Sequence, residues 1–371
     1  MQGRVTEVLE AVPTRVAPPC PFVADGCGGC DLQHLAPAAQ PELKVEVVRD
    51  ALRRLGRVPE PPVRAGRPLP PTGYRTTVRL AVVDGRAGFR RRASHDVLAV
   101  DTCLVLHPDL DELVAAGRFD GADEVTLRLG VATGERLVLA DPAASRVAGL
   151  PADVVVVGVD ELAGPDPTAA GRRREPAVHE VVAGRRLRVS ARSFFQARPD
   201  GAVALVEAVT AAGGDELRAA SVVVDAYAGV GLFTAVLGGP DQPGDDRDDG
   251  DRPASGARWV AVERSPSAVR DARVNLADVD AEVVEASVED WSAVAADVVV
   301  ADPARTGLGR PAAEVLASTG AGVVVLVSCD AAALGRDAAL LAEHGFGLES
   351  AEVVDLFPHT HHVEVVSRFT R

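Results

Sequence analysis

The chain lacks any long hydrophobic run. Nowhere in its 371 residues is there a stretch of the roughly 18 apolar residues that a helix needs to cross a bilayer. The opening MQGRVTEVLEAVPTRV has no basic start followed by an apolar core, so neither a membrane span nor a secretory leader is expected. Cysteine is scarce, with five in all. Without a leader they do not read as a disulfide framework, and the reducing, cytoplasmic setting this implies leaves thiols for metals or chemistry. Positive charge is in the minority, 39 Lys and Arg against 54 Asp and Glu, and the net charge of −15 taken alone argues against a nucleic-acid partner. Internal repeats are also missing.

What is present is unevenly spread. Residues 64 to 92 hold eight arginines (64, 67, 75, 79, 86, 90, 91 and 92) against Asp84 alone, a local charge of +7. Residues 241 to 251 hold six Asp and one Arg, a local charge of −5. The basic band reads either as a solvated surface in an Arg-preferring chain or as a contact for phosphates.

Residues 1–35 have little periodicity and many Pro, Gly and Cys. The segment 36–58 then places Val45, Val48, Leu52 and Leu55 on one face and predicts an amphipathic helix ended by Gly56 and Pro59. From 59 to 190 short β-type runs (TTVRLAVV, EVTLRLGVA, ERLVLA, RRLRVSA) are separated by Gly, Pro and Asp turns, as in a mostly β domain. From 191 to 371, after an expected helix over SFFQARPDGAVALVEAVTAA, nearly continuous apolar strands alternate with helices. That is the pattern of a doubly wound α/β sheet covered on both faces. The Pro-, Gly- and Asp-rich stretch 238–257 reads as a disordered acidic insertion.

Ligands of such sheets sit beyond the carboxyl ends of the strands. SVVVDAYAGVGLF puts Asp225 at one strand end and Gly229 and Gly231 in the turn before a helix; Thr234 stands where a dinucleotide fold wants a third Gly. WVAVE ends in Glu263, a carboxylate placed to accept the ribose hydroxyls of a nucleoside cofactor. ADVVVADPARTG carries Asp302 and Pro303, and GVVVLVSCD ends in Cys329. The commonest fate of a free cysteine is that of a small buried hydrophobe, but Cys329 follows the end of its apolar run and faces the ligand crevice, which favours a nucleophile. Glu364 lies in the last strand region. His359, His361 and His362 read as polar surface or substrate contacts rather than a metal site, and Ser94 and His95, after three arginines, as contacts to a phosphate backbone rather than a catalytic pair.

Taken in order, SFFQAR, VVDAYAGVGLF, ADPARTGLG, VSCDAAALGRD and DLFPHTHHVEVV resemble the RNA uracil-C5 methyltransferases, over roughly residues 15 to 371. CPFVADGCGGCDLQH resembles the iron-sulfur cluster-bearing branch, which includes 23S ribosomal RNA methyltransferases. The resemblance implies a class I S-adenosylmethionine methyltransferase fold with a smaller, mostly β central domain. It makes Cys329 the nucleophile and Glu364 the base that removes the C5 proton. It places Gln196, Tyr227, Gly229, Gly231, Glu263 and Asp302 around S-adenosylmethionine and the target base. Phe194 or Phe195 is offered as a stacking surface for the base. Two departures stand out. Ala304 replaces the Pro that usually follows the Asp-Pro pair, and only about twenty residues precede Cys20, where relatives carry a β-barrel RNA-binding domain.

Cys20, Cys27 and Cys30 form C-x6-C-x2-C, and Cys103 follows after the β runs. Four thiolates suit either a [4Fe-4S] cluster or a structural Zn²⁺, and spacing alone does not choose between them; the resemblance implies the cluster, in a structural role. The expected partner is RNA, ribosomal before transfer RNA, with the enzyme a monomer that uses no membrane. Rival expectations are a cluster-bearing oxidoreductase and an RNA-binding homologue impaired in catalysis.

Overall fold

The computed structural model describes residues 7–163, 175–240 and 256–371. In chain order, helix α1 (Gln40–Arg54) is followed by strands β1 (Val63–Ala65), β2 (Thr77–Val83), β3 (Arg86–Arg90) and β4 (Val97–Ala99), and by helix α2 (Pro108–Ala116). Then come β5 (Arg118–Phe119), β6 (Ala122–Gly130), β7 (Glu135–Pro142), β8 (Val147–Ala148), β9 (Val155–Gly158), α3 (Val159–Ala163), β10 (Ala177–Val182) and β11 (Arg185–Ser190). The remainder is α4 (Pro199–Ala219), β12 (Val222–Ala226), α5 (Leu232–Leu237), β13 (Arg258–Glu263), α6 (Pro266–Asn275), β14 (Ala281–Glu285), β15 (Val298–Ala301), α7 (Gly309–Ser318), β16 (Val323–Ser328), α8 (Ala331–Glu343), β17 (Gly347–Val353) and β18 (Val365–Thr370).

The Val-rich runs form an eight-stranded sheet in the order β1-β17-β18-β16-β15-β12-β13-β14. Its central strands β12, β15 and β16 are almost wholly apolar because both faces are covered, whereas β14 and β17 toward the edges carry charged residues. Along β15, Val298 and Val300 face a core shared with α4, α5 and α6, while Val299 and Ala301 face a core shared with α1, α7 and α8. All neighbours pair in parallel except β18, which runs antiparallel to both β16 and β17. That reversal brings the start of β18 to the same rim as the carboxyl end of β16. No described helix is long and apolar enough to cross a membrane.

A six-stranded sheet, ordered β4-β3-β2-β6-β7-β9, makes the central unit with its own core under α2. Two pieces assigned above to residues 59–190 belong elsewhere. Strand β1 pairs with β17 and extends the large sheet, and the β10–β11 hairpin contributes Val178, Val182, Leu187 and Val189 to the large sheet's core against α4 and α5. The hairpin turn, Ala183-Gly184, has positive φ at both residues, the geometry that matches strand twist. Likewise α1 belongs to the large sheet: Val45, Val48 and Leu52 are fully buried against its core, and each contributes roughly 1.5–3 kcal/mol. Of the acidic stretch expected at 238–257, residues 241–255 lie outside the described part of the chain.

Candidate active site at the rim of the large sheet

Strand order reverses between β12 and β15, so the crevice beyond their carboxyl ends is the binding position of the fold. The register places the expected residues there. Ala226 is level with both Val262 and Ala301, so Tyr227, Glu263 and Asp302 follow side by side. Tyr227 holds a positive φ of 63°, uncommon for a residue with a side chain, and its hydroxyl donates to Glu289 at 3.3 Å. Gly229 and Gly231 have φ values of 57° and 86°. A Cβ on Gly229 meets nothing within 4 Å, so the turn opens onto free space in front of α5. The Glu263 carboxylate accepts from the backbone N–H of Gly229 at 2.9 Å and of Ser265 at 2.6 Å, which ties the turn to the end of β13 and fixes the carboxylate.

Cys329 and Glu364 come from distant parts of the sequence and meet because β16 and β18 are antiparallel. Ser328 pairs with Val365, so the residues just beyond the pair, Cys329 and Glu364, are neighbours at the rim. Glu364 is buried, and burial together with Asp302 pushes its carboxyl well above the usual carboxylate range. Burial, then Glu364 and Asp302, raise the Cys329 thiol to about 11. Burial and Asp225 raise Asp302 to about 7. Asp225 itself is fully buried and raised by burial to about 6; one of its oxygens accepts from Thr234 and the other has no hydrogen-bond partner. Crowding carboxyls around a thiol in an enclosed rim keeps the resting group mostly protonated.

Sequence reasoning passed over Arg305, three residues after Asp302 in the same loop. It is the cation that pulls Cys329 and Glu364 back toward ionisation, and its guanidinium stands 3.4 Å from both ring nitrogens of His362. Burial and Arg305 push His362 down to about 4, so it is neutral at physiological pH. The signal was available in ADPARTG, where Arg305 follows the expected rim carboxylate Asp302 by three residues.

Gln196 is buried in the segment between β11 and α4. That segment is pinned by Ser193, whose hydroxyl bonds Asp271 at 2.6 Å and whose carbonyl accepts from Arg128 at 2.7 Å. Phe195 belongs to the core, while Phe194 is 70% exposed, which leaves Phe194 as the aromatic available to a base.

The four other cysteines gather on one cavity. Cys20, Cys27, Cys30 and Cys103 all line it, together with Arg75 and Phe89. Among the described residues no group of three or more His, Cys, Asp or Glu side chains stands ready-arranged around a metal position, so the convergence is of walls around a space. Burial raises Cys27 and Cys30, an elevation that Arg92 and Arg75 oppose without cancelling, and takes Cys103 to about 12. Gly29 donates to the Cys27 sulfur at 3.5 Å, and Gln33 accepts from the Cys20 backbone N–H at 3.1 Å.

Much of the arginine band is engaged within the chain. Arg79 and Arg90 share Glu124, Arg64 pairs with Glu352 and Arg67 with Glu207. Arg91 and Arg92 donate to the carbonyls of Asp25 and Cys30, and Arg75 lies over the Phe357 ring at 5.6 Å. The band therefore holds the cysteine loop and the central unit in place as well as supplying positive charge.

No family model matches the chain. It is 34% identical to an uncharacterized RNA methyltransferase of Streptomyces avermitilis over 99% of this chain and 86% of that one. It is 33% identical to the 23S rRNA (uracil(1939)-C(5))-methyltransferase RlmD of Alkalilimnicola ehrlichii, over 100% of this chain and 86% of that one. Among solved structures, the tRNA (uracil-54, C5)-methyltransferase of Pyrococcus abyssi, in complex with S-adenosyl-L-homocysteine, superposes with a TM-score of 0.72 at 24% identity, covering 98% of this chain and 87% of that one. The last likeness establishes a class I S-adenosylmethionine methyltransferase fold, and the sequence relationships establish the family. The chain belongs to the RNA uracil-C5 methyltransferases.

Proposed function

We propose that this enzyme methylates carbon 5 of a uridine in 23S ribosomal RNA, with Cys329 as covalent nucleophile and Glu364 as base. The observation that carries the reading is the β16–β18 register, which sets a thiol and a buried carboxyl side by side at the ligand-binding rim. The likeness to the Alkalilimnicola enzyme supports ribosomal over transfer RNA.

The rim fits S-adenosylmethionine. Open space before Gly229, a fixed Glu263 carboxylate and the helix start at α5 suit a nucleoside with a charged tail, with Tyr227, Gly231, Asp302 and Gln196 completing the wall. When bound, it supplies an electrophilic methyl group. Carbon 5 of uracil is too weak a nucleophile to take that methyl unaided. Addition of the Cys329 thiolate to carbon 6 forms a C–S bond and moves the C5–C6 π pair into an enolate, which makes carbon 5 nucleophilic. After the methyl is in place, carbon 5 still carries its proton. Glu364 removes it, the electron pair reforms the C5–C6 double bond, and the C–S bond breaks to return the thiolate. Arg305 supplies the positive charge that favours the thiolate and the carboxylate. The uracil must leave its stack to reach this rim, and exposed Phe194 offers a face for it.

For the four remaining cysteines we read a [4Fe-4S] cluster. Three thiols from one loop and Cys103 from the central unit, converging on one cavity, are a donor set that fits it, and a bound cation would reverse the elevation of their pKa values. The cluster's part is to hold the cysteine loop to the central unit.

Replacing Cys329 with Ala tests the covalent reading. Methyl incorporation into RNA is expected to vanish while the dissociation constant for S-adenosylmethionine stays within about twofold, because the thiol acts on the base and not on the cofactor. Turnover at the normal rate would refute it.

A further inference from the structure

Antiparallel neighbours such as β17 and β18 are usually joined by a loop of about 2–5 residues. Here β17 ends at Val353, β18 begins at Val365, and the intervening segment 354–364 is irregular yet mostly buried. Buried irregular backbone needs hydrogen-bond partners from elsewhere. Besides bonds within the segment, they come from the first turns of α1, from the cysteine loop, and from Tyr74 and Arg198.

From α1, Gln40 and Lys44 lie one turn apart on the buried face. The Gln40 side-chain oxygen accepts from the His359 backbone N–H at 2.6 Å, and its nitrogen donates to the Leu35 carbonyl at 2.9 Å. Lys44 is the only lysine in the chain, it is 2% exposed, and its ammonium donates to Asp355 at 2.6 Å and to the Phe357 carbonyl at 3.0 Å. A compact ammonium has three donors to share between a carboxylate and a carbonyl, which an arginine fork does less well. From the cysteine loop, the N–H groups of Asp31 and Leu32 both donate to the His359 carbonyl, at 3.0 and 2.9 Å. The Asp31 carboxylate takes the His361 backbone N–H at 2.9 Å and lies 2.6 Å from its ring Nδ1. Tyr74, which packs on Cys30, donates to the Pro358 carbonyl at 3.2 Å. Between these grips His359 is held at a φ of 68°, a conformation that persists only where the surroundings impose it.

We infer that Gln40, Lys44 and the Asp31–Leu32 corner form a clamp on residues 355–363 that sets where Glu364 stands relative to Cys329, making them positioning residues for the proton-removal step. The inference rests on the proposed role of Glu364. It joins the cysteine site to the catalytic rim through the chain: Cys30 is followed directly by the residues that hold the base segment. Because the base acts only after the methyl group has moved, a misplaced Glu364 slows release and leaves the methylated RNA attached to Cys329.

The test uses full-length protein with Asp31→Ala, at the surface, and Gln40→Ala, each compared with wild type. Free 5-methyluridine RNA, denaturant-stable protein–RNA adduct, iron content and S-adenosylmethionine affinity are measured together. Release is expected to fall about tenfold or more, with adduct accumulating and cofactor affinity and iron content unchanged. Hydrogen exchange of residues 355–363 is expected to quicken in the same variants. Normal release without adduct overturns the clamp, and so does loss of cofactor affinity in step with activity, which marks a general structural role. A wild-type enzyme that makes no 5-methyluridine overturns the proposed function itself, and the clamp with it.

Discussion

In the proposed mechanism Cys329 starts from a protonated state. Burial and the neighbouring carboxyls put its thiol at about 11, so the thiolate fraction grows about tenfold per pH unit up to that value. Glu364, raised well above the usual carboxylate range, must also be ionised to accept a proton. The two requirements have the same sign. The turnover rate is therefore expected to rise with pH through neutrality into the alkaline range, and a pH–rate profile peaking on the acid side of neutrality would contradict the assignment. Arg305 opposes both elevations, so Arg305→Leu should displace the profile to higher pH and slow turnover at neutral pH by roughly tenfold or more. An unchanged profile would remove Arg305 from the site.

At the scale of elements, the parts legible in the sequence were those with a local signature. Cys329 was singled out because the apolar run of β16 ends at Val327, with only Ser328 between, and Gly229 and Gly231 because a strand followed by a glycine turn marks a ligand position. Gly231 has a φ of 86°, and a Cβ there meets Leu276 at 3.2 Å. Gly231→Val is expected to reduce S-adenosylmethionine affinity by about tenfold or more, read by equilibrium binding, since the turn can neither keep its φ nor its fit. Affinity within twofold of wild type would place the cofactor elsewhere. What escaped the sequence was non-local. The three residues of β1 carry no sign that they pair with Ala351–Val353, and the β10–β11 hairpin alternates in the same way whichever core it covers. Nothing in the spacing of Gln40 and Lys44 reveals that both grip the segment before Glu364.

For the whole molecule, the net charge of −15 pointed away from RNA, and the family relationship shows why charge totals mislead. Six of the eight arginines in the basic band are bonded within the chain, to carboxylates or to the backbone of the cysteine loop. The cysteine site was legible as a set of four, but its geometry was not, because Cys103 reaches the cavity only through the fold of the central unit. Protein purified without oxygen is expected to carry about four irons and four sulfides per chain, with Cys103→Ser losing both; a single zinc per chain would replace the cluster with a structural Zn²⁺.

The central claim is tested most directly by incubating wild-type enzyme with labelled S-adenosylmethionine and unmethylated ribosomal or transfer RNA, then identifying the product nucleoside by mass spectrometry. The account predicts 5-methyluridine in 23S ribosomal RNA. Methylation at any other base or atom, or no methylation of either RNA by enzyme that binds the cofactor, would contradict it.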